Sequence, residues 1–164
     1  SAIRDDSPIV FIEHKALLSL KGEIPNGDFT IPIGKADIKR EGSDVTIITY
    51  GQMVHTSLKA AEILSGDGIN AEVLDLRTLL PLDKEAIMQS VQKTNRVVIV
   101  HESHKGTGFG AEISSLIAEE LLYELDAPIK RIAGAFTPIP LGVVEDYHFP
   151  TVDKVIAAVK ETCQ

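Results

Sequence analysis

Val45-Thr46-Ile47-Ile48-Thr49-Tyr50-Gly51 is the stretch that sets the fold. Its β-branched run reads as a strand stopped by a glycine. The apolar residues that follow, Met53, Leu58, Ala61 and Leu64, recur at helical spacing until Gly66-Asp67-Gly68 breaks them. Ala71-Glu72-Val73-Leu74-Asp75-Leu76 then returns to strand composition. Strand, helix and strand in immediate succession make a β-α unit, and the chain repeats the pattern after it.

Downstream, Pro81-Leu82-Asp83 opens a helix expected to run through Val91, with Asp83 as its cap ahead of Lys84-Glu85. Arg96-Val97-Val98-Ile99-Val100 is nearly all apolar, as a strand buried on both faces should be. A glycine-rich turn, Gly106-Thr107-Gly108-Phe109-Gly110, leads into a helix predicted over 111–125, and a further strand is predicted over 129–133 after Pro128. Beyond Pro138, Pro140 and Pro150, Thr151 caps a final helix with the stripe Val155, Ile156 and Val159. The order predicts a mostly parallel sheet covered on both faces by helices. Upstream, residues 34–40 are expected to add an edge strand. Residues 19–32, with Gly22, Pro25, Asn26 and Gly27, read as a linker. The opening, Ser1 to Asp6 running straight into Ile9-Val10-Phe11-Ile12, reads like a segment cut from something longer.

With 164 residues and 44% hydrophobic composition the chain has apolar material for one well-packed domain and a short arm. A net charge of -8 argues against a nucleic-acid backbone as partner, since phosphate binding wants clustered Lys and Arg. A basic module docking on an acidic face is compatible with it. The single Cys163 cannot form an internal disulfide, which favours a reducing compartment. No apolar run reaches the roughly 20 residues that span a bilayer. A soluble intracellular protein is expected.

Several constellations invite functional readings. Gly106, Gly108 and Gly110 could cradle a phosphate at a helix N-terminus, but the spacing is not the dinucleotide fingerprint, and tight strand-to-helix turns need glycine for steric reasons alone. Gly66-Asp67-Gly68 with Asn95 downstream looks like a metal-diphosphate motif. However, it ends a helix and precedes a strand, so Asp67 should lie on the wrong edge of the sheet, and Gly66 or Gly68 is expected to supply a left-handed helix stop. His101-Glu102 and His104 stand at the carboxyl end of a strand, where a loop network, a subunit contact or, on a poorer spacing match, a metal are the alternatives. Asp75 and Arg77 alternate along their strand and should share a face, pairing with each other or reaching a neighbouring subunit. His14 and His55 look isolated. Glu145-Asp146 beside Tyr147 makes an acidic aromatic loop, either solvated or a docking surface.

Taken together, the chain resembles the beta subunit of the decarboxylating component of pyruvate, branched-chain 2-oxoacid and acetoin dehydrogenase complexes. The similarity runs in order through Pro8-Ile9-Val10-Phe11-Ile12-Glu13-His14-Lys15, Ile31-Pro32-Ile33-Gly34-Lys35-Ala36, Glu41-Gly42-Ser43-Asp44-Val45-Thr46 and Tyr50-Gly51-Gln52-Met53-Val54-His55. It continues through Asp75-Leu76-Arg77-Thr78-Leu79-Leu80-Pro81-Leu82-Asp83, Val100-His101-Glu102, Gly108-Phe109-Gly110-Ala111-Glu112-Ile113 and Leu125-Asp126-Ala127-Pro128. Val100-His101-Glu102 is closer to the acetoin and branched-chain members than to the pyruvate members.

The resemblance implies an α/β fold: a three-layer α/β/α, transketolase C-terminal-like domain over 43–164 with a five-stranded mixed sheet. It also implies a linker and edge strand over 21–42 and the tail of a pyrimidine-binding domain over 1–20. It implies no catalytic, cofactor or metal residue in this chain, the thiamine diphosphate and Mg²⁺ belonging to the full assembly. The implied partners are an alpha subunit and a second beta subunit in an α2β2 heterotetramer, and the peripheral-subunit-binding domain of the acyltransferase, met by Asp126 and the chain end at Gln164. Asp75, Arg77, His101 and Glu102 are the candidate subunit-interface residues. A homodimer in isolation is open, as is a stand-alone binding module without chemistry. Location would be cytoplasmic in a bacterium and the mitochondrial matrix in a eukaryote.

Overall fold

A computed structural model of the protein describes residues 1–164, apart from the side chains of Val143 and Asp146. The acidic part of the expected Glu145-Asp146 patch therefore lies partly outside the described residues. Five strands alternate with helices: β1 Asp37–Arg40, β2 Val45–Thr49, α1 Met53–Gly66, β3 Ala71–Asp75, α2 Lys84–Thr94, β4 Val97–His104, α3 Gly110–Leu121, β5 Lys130–Gly134, α4 Glu145–His148 and α5 Val152–Thr162. The sheet order is β1-β3-β2-β4-β5. β2 pairs in parallel with β3 and β4, β4 in parallel with β5, and β1 runs antiparallel along β3. The expected edge strand is present.

β2 sits at the centre and all five of its residues are buried. Alternation sends Val45 and Ile47 to one face, where they pack with Leu64 of α1 and with Val155 and Val159 of α5. Ile48 goes to the other, against Ile87 and Val91 of α2 and Ile113 and Ile117 of α3. Each fully buried Val, Leu or Ile side chain contributes roughly 1.5–3 kcal/mol by leaving water. Thr46, facing α2 with no water in reach, is satisfied by Ser90 Oγ at 2.9 Å and Thr94 Oγ1 at 2.8 Å.

The caps predicted from sequence form. The Asp83 carboxylate accepts from the Ala86 N–H and the Thr151 hydroxyl oxygen from the Lys154 N–H. Gly68, at φ +82°, takes the left-handed stop after α1. Three boundaries differ from the sequence reading. β4 continues through the polar residues to His104, α2 runs on to Thr94, and α3 ends at Leu121 in a short 3-10 turn, Leu122–Glu124. α2 outlasts its apolar stripe because Ser90 and Thr94 are themselves buried, bonding to β2.

No residue of 1–40 is buried. The arm has two 3-10 turns, Ala2–Arg4 and Lys15–Ser19, and is otherwise irregular or extended up to β1. Arg4 and Ser1 hydrogen-bond to Asp28 and to the Ile31 carbonyl, so the arm folds back on its own linker.

Candidate functional site

In an open α/β sheet ligands bind outside the carboxyl ends of the strands, where successive connections leave in opposite directions. Here that point lies between β2 and β4, because the chain passes from β2 to β3 on one side and from β3 to β4 on the other. The crevice is filled. Tyr50, just past β2, lies parallel to His101 of β4 with ring centroids 6.2 Å apart. His101 is fully buried, its Nδ1 is 2.8 Å from Ser103 Oγ, and among the described residues its Nε2 has no hydrogen-bond partner.

Gly108 and Gly110 close over that ring. A Cβ on Gly110 would stand 2.3 Å from His101 Nε2, and one on Gly108 would stand 2.5 Å from His101 Cε1. Gly108 and Gly110 are there for an imidazole, and the steric reading holds for these two. Burial, and secondarily the Arg131 charge, push the His101 pKa down, so the ring is neutral at pH 7. Burial likewise raises the Tyr50 hydroxyl above its ordinary value.

The neighbouring groups disperse. His104 meets Phe136 and His148 edge-on, at centroid distances of 5.5 and 5.7 Å. Glu102 Oε1 lies 3.1 Å from His14 Nε2, so His14, isolated in the sequence reading, is a partner across 88 residues. No local pattern could have shown that. Among the described residues, no three His, Cys, Asp or Glu side chains converge on a point that could hold a metal.

Two expectations for the interface candidates need correction. His101 is wholly inside, held there by the turn above it, so of that pair only Glu102 reaches the surface. Asp75 and Arg77 do not share a strand face, because β3 ends at Asp75, Leu76 is buried, and Arg77 takes a left-handed φ of 54°. Asp75 accepts from the Arg77 backbone N–H at 3.0 Å, while the Arg77 guanidinium goes to Asp37, which also holds Lys39 at 2.6 Å. Burial raises the Asp75 pKa.

The opposite, amino edge carries the docking candidates. Asp126 is half exposed and pairs with Arg96 at 3.0 Å. Beside it lies a shallow groove of about 510 Å³ lined by Leu122, Leu125, Ala127, Pro128 and Ile129. Cys163, at the end of α5, packs against the core; burial raises its thiol pKa, and the charges of Arg96 and Asp44 act on it in opposite senses. The exposed chain end at Gln164 follows it. Asp126 and the end of α5 therefore share one edge.

The residues that imitate a diphosphate-metal motif do not fit one. Asp67 ends α1 and pairs with Lys160 of α5 at 2.7 Å, while Asn95 caps α2 in a left-handed conformation. α1 and α5 cover one face of the sheet and α2 the other, so the two residues end helices in opposite layers and each is engaged locally.

Comparison with known proteins agrees with this geometry. The family described as transketolase, C-terminal domain, matches residues 34–155. The 2-oxoisovalerate dehydrogenase subunit beta of Bacillus subtilis (strain 168) is 49% identical, covering 100% of this chain and 51% of that protein. From the same organism, the acetoin:2,6-dichlorophenolindophenol oxidoreductase subunit beta is 48% identical over 98% of this chain and 47% of its own length. The pyruvate dehydrogenase E1 component subunit beta is 45% identical over 100% and 51%. The chain thus spans about half the length of the curated relatives it matches. Among solved structures, a split-gene transketolase described as an inactive beta4 tetramer superposes with a TM-score of 0.72 at 29% identity, over 87% of this chain and 45% of that one.

Proposed function

Because this chain belongs to the transketolase C-terminal domain family, we propose that it serves as the carboxy-terminal assembly domain of a dehydrogenase beta subunit. The enzyme would be a thiamine-diphosphate-dependent 2-oxoacid or acetoin dehydrogenase. In that reading the assembly decarboxylates a 2-oxoacid oxidatively, or cleaves acetoin, and passes the acyl group to lipoamide. The cofactor and its Mg²⁺ would be held elsewhere in the assembly, and this chain alone would be inactive. Its contribution is contact: with an alpha subunit, with a second beta subunit across a two-fold axis, and with the peripheral-subunit-binding domain of the acyltransferase. Relatives named as pyruvate, 2-oxoisovalerate and acetoin enzymes stand at similar identity, so the substrate class stays at that breadth. The arm over 1–20 would be the tail of a pyrimidine-binding domain, 21–42 its link, and 43–164 the assembly domain. Location would be cytoplasmic, or the mitochondrial matrix in a eukaryote.

The observation that carries the docking part is the half-exposed Asp126 beside its apolar groove, on the same edge as the chain end. A carboxylate can take Lys or Arg in charge-assisted bonds, with the groove excluding water beside it. Isothermal titration of the chain with a basic peripheral-subunit-binding domain tests it. Binding should weaken about tenfold, or ~1.4 kcal/mol, in Asp126→Ala and should fall with salt. An affinity unchanged by the substitution at low salt counts against it. The split-gene transketolase, itself described as a beta4 tetramer, supports self-association as part of this reading. The rival, a stand-alone binding module, predicts that supplying an alpha subunit and a pyrimidine-binding half restores no activity.

A further inference from the structure

The contact between His14 and Glu102 is the one side-chain hydrogen bond that joins residues 1–31 to the sheet domain, among the described residues. Its chemistry is well defined. His14 Nδ1 accepts from the Ala16 N–H at 3.2 Å, capping the turn Lys15–Ser19, so the ring proton is on Nε2 and is donated to Glu102 Oε1. The imidazole is thus held from both sides: one nitrogen shapes the arm, and the other ties it down.

Glu102 is aimed by the sheet. β4 and β5 lose register between Val100 and His104: Val100 stands opposite Ile132 and His104 opposite Gly134, so four residues on one strand span two on the other. Such a bulge re-aims the side chain it carries. The bulge is also held from beneath. A Cβ on Gly134 would lie 2.5 Å from the Glu102 carbonyl oxygen and 2.9 Å from Nε2 of His148, a ring only 4% exposed. Glu102 therefore stands on a rigid base and reaches outward, whereas the arm it meets has no buried residue of its own.

We propose that His14 and Glu102 form a latch that seats the amino-terminal arm on the carboxyl edge of the sheet, setting where the exposed run Val10-Phe11-Ile12 is presented. Those three side chains are 87%, 76% and 82% exposed, so no burial of their own fixes where they stand. The latch makes Glu102 a positioning residue for the arm. It concerns this chain by itself and stands whether or not the chain assembles as proposed above.

Backbone ¹⁵N relaxation on the full 164-residue chain tests it. In the unsubstituted protein the order parameters of residues 9–18 should approach those of β2, near 0.85, and in Glu102→Ala they should fall below about 0.6 while β2 is unchanged. Glu102→Gln keeps an acceptor for the Nε2 proton and should keep the arm ordered. His14→Ala should match Glu102→Ala, and the double variant should be no looser than either single one, because both remove the same contact. An arm already loose in the unsubstituted protein overturns the proposal, as does an arm still ordered in Glu102→Ala or one as loose in Glu102→Gln as in Glu102→Ala. If Glu102→Ala also loosens β2, the Gln variant and His14→Ala decide: order retained in the first and lost in the second supports the latch, and any other pattern overturns it.

Discussion

Gly110 lies against the buried face of His101 so closely that one added methyl would stand 2.3 Å from the imidazole Nε2. Neither side has room to give, because the ring is fully enclosed and Gly110 opens α3. Gly110→Ala is therefore expected to destabilise the domain by about 1–3 kcal/mol, the range for overpacking a close-fitted core. Urea unfolding should show a lower midpoint with an unchanged slope.

His101 also links stability to pH. Burial, then the Arg131 charge, hold its folded-state pKa below the ordinary 6.5, so as pH falls through that value the unfolded chain takes up a proton that the folded one refuses. The stability associated with the neutral ring is full above pH 6.5 and is lost on the way down to the depressed folded value. Measured between pH 7.5 and 5.0, the decline should be steeper in the unsubstituted protein than in His101→Asn, which has nothing to protonate. Equal slopes would show that the ring is not held neutral.

Toward α2, Glu72 of β3 is fully buried, and its carboxylate accepts hydrogen bonds from the Ser90 hydroxyl and the Lys93 ammonium. Removing the lysine strands a charge beneath α2. A buried pair broken in this way costs about 3–5 kcal/mol, but Lys93 is 40% exposed and water screens part of that, so Lys93→Met should cost about 2 kcal/mol. In a double-mutant cycle with Glu72→Gln the two losses should fall short of additivity by at least ~1 kcal/mol.

The engagement of Asp67 by Lys160 and of Asn95 in the cap of α2 gives a ligand prediction. Thiamine diphosphate with Mg²⁺ added to the isolated chain should leave its melting temperature unmoved. A site filled at a hundred times its Kd would contribute about 2.7 kcal/mol and shift the midpoint by several degrees. A calorimetric titration giving micromolar binding would overturn the placement of the cofactor elsewhere in the assembly.

Much of this architecture is legible in the chain because local and global signals coincide. Asp83 and Thr151 announce their helices by cap chemistry, and Gly68 stops α1 where a left-handed residue is needed. The sites are less legible, for a physical reason: they rest on contacts between residues far apart in sequence. Periodicity gives no hint that Glu72 sits unexposed in an apolar strand, since its partners Ser90 and Lys93 lie a helix away. The polar run His101-Glu102-Ser103-His104 reads as the end of a strand, yet β4 runs through it because the turn at Gly108 and Gly110 shelters the ring. The pairing of His14 with Glu102 was invisible for the same reason.

The two margins of the sheet also limit how the protein can self-associate. β1 has four residues with its register broken between Ile38 and Arg40, and β5 has five, opening on Lys130 and Arg131. Short, charged and kinked borders refuse an incoming strand, which is how natural sheets avoid fibre growth. Copies held at high concentration without partners should therefore meet through helix faces and sheet ends, giving closed oligomers rather than ribbons.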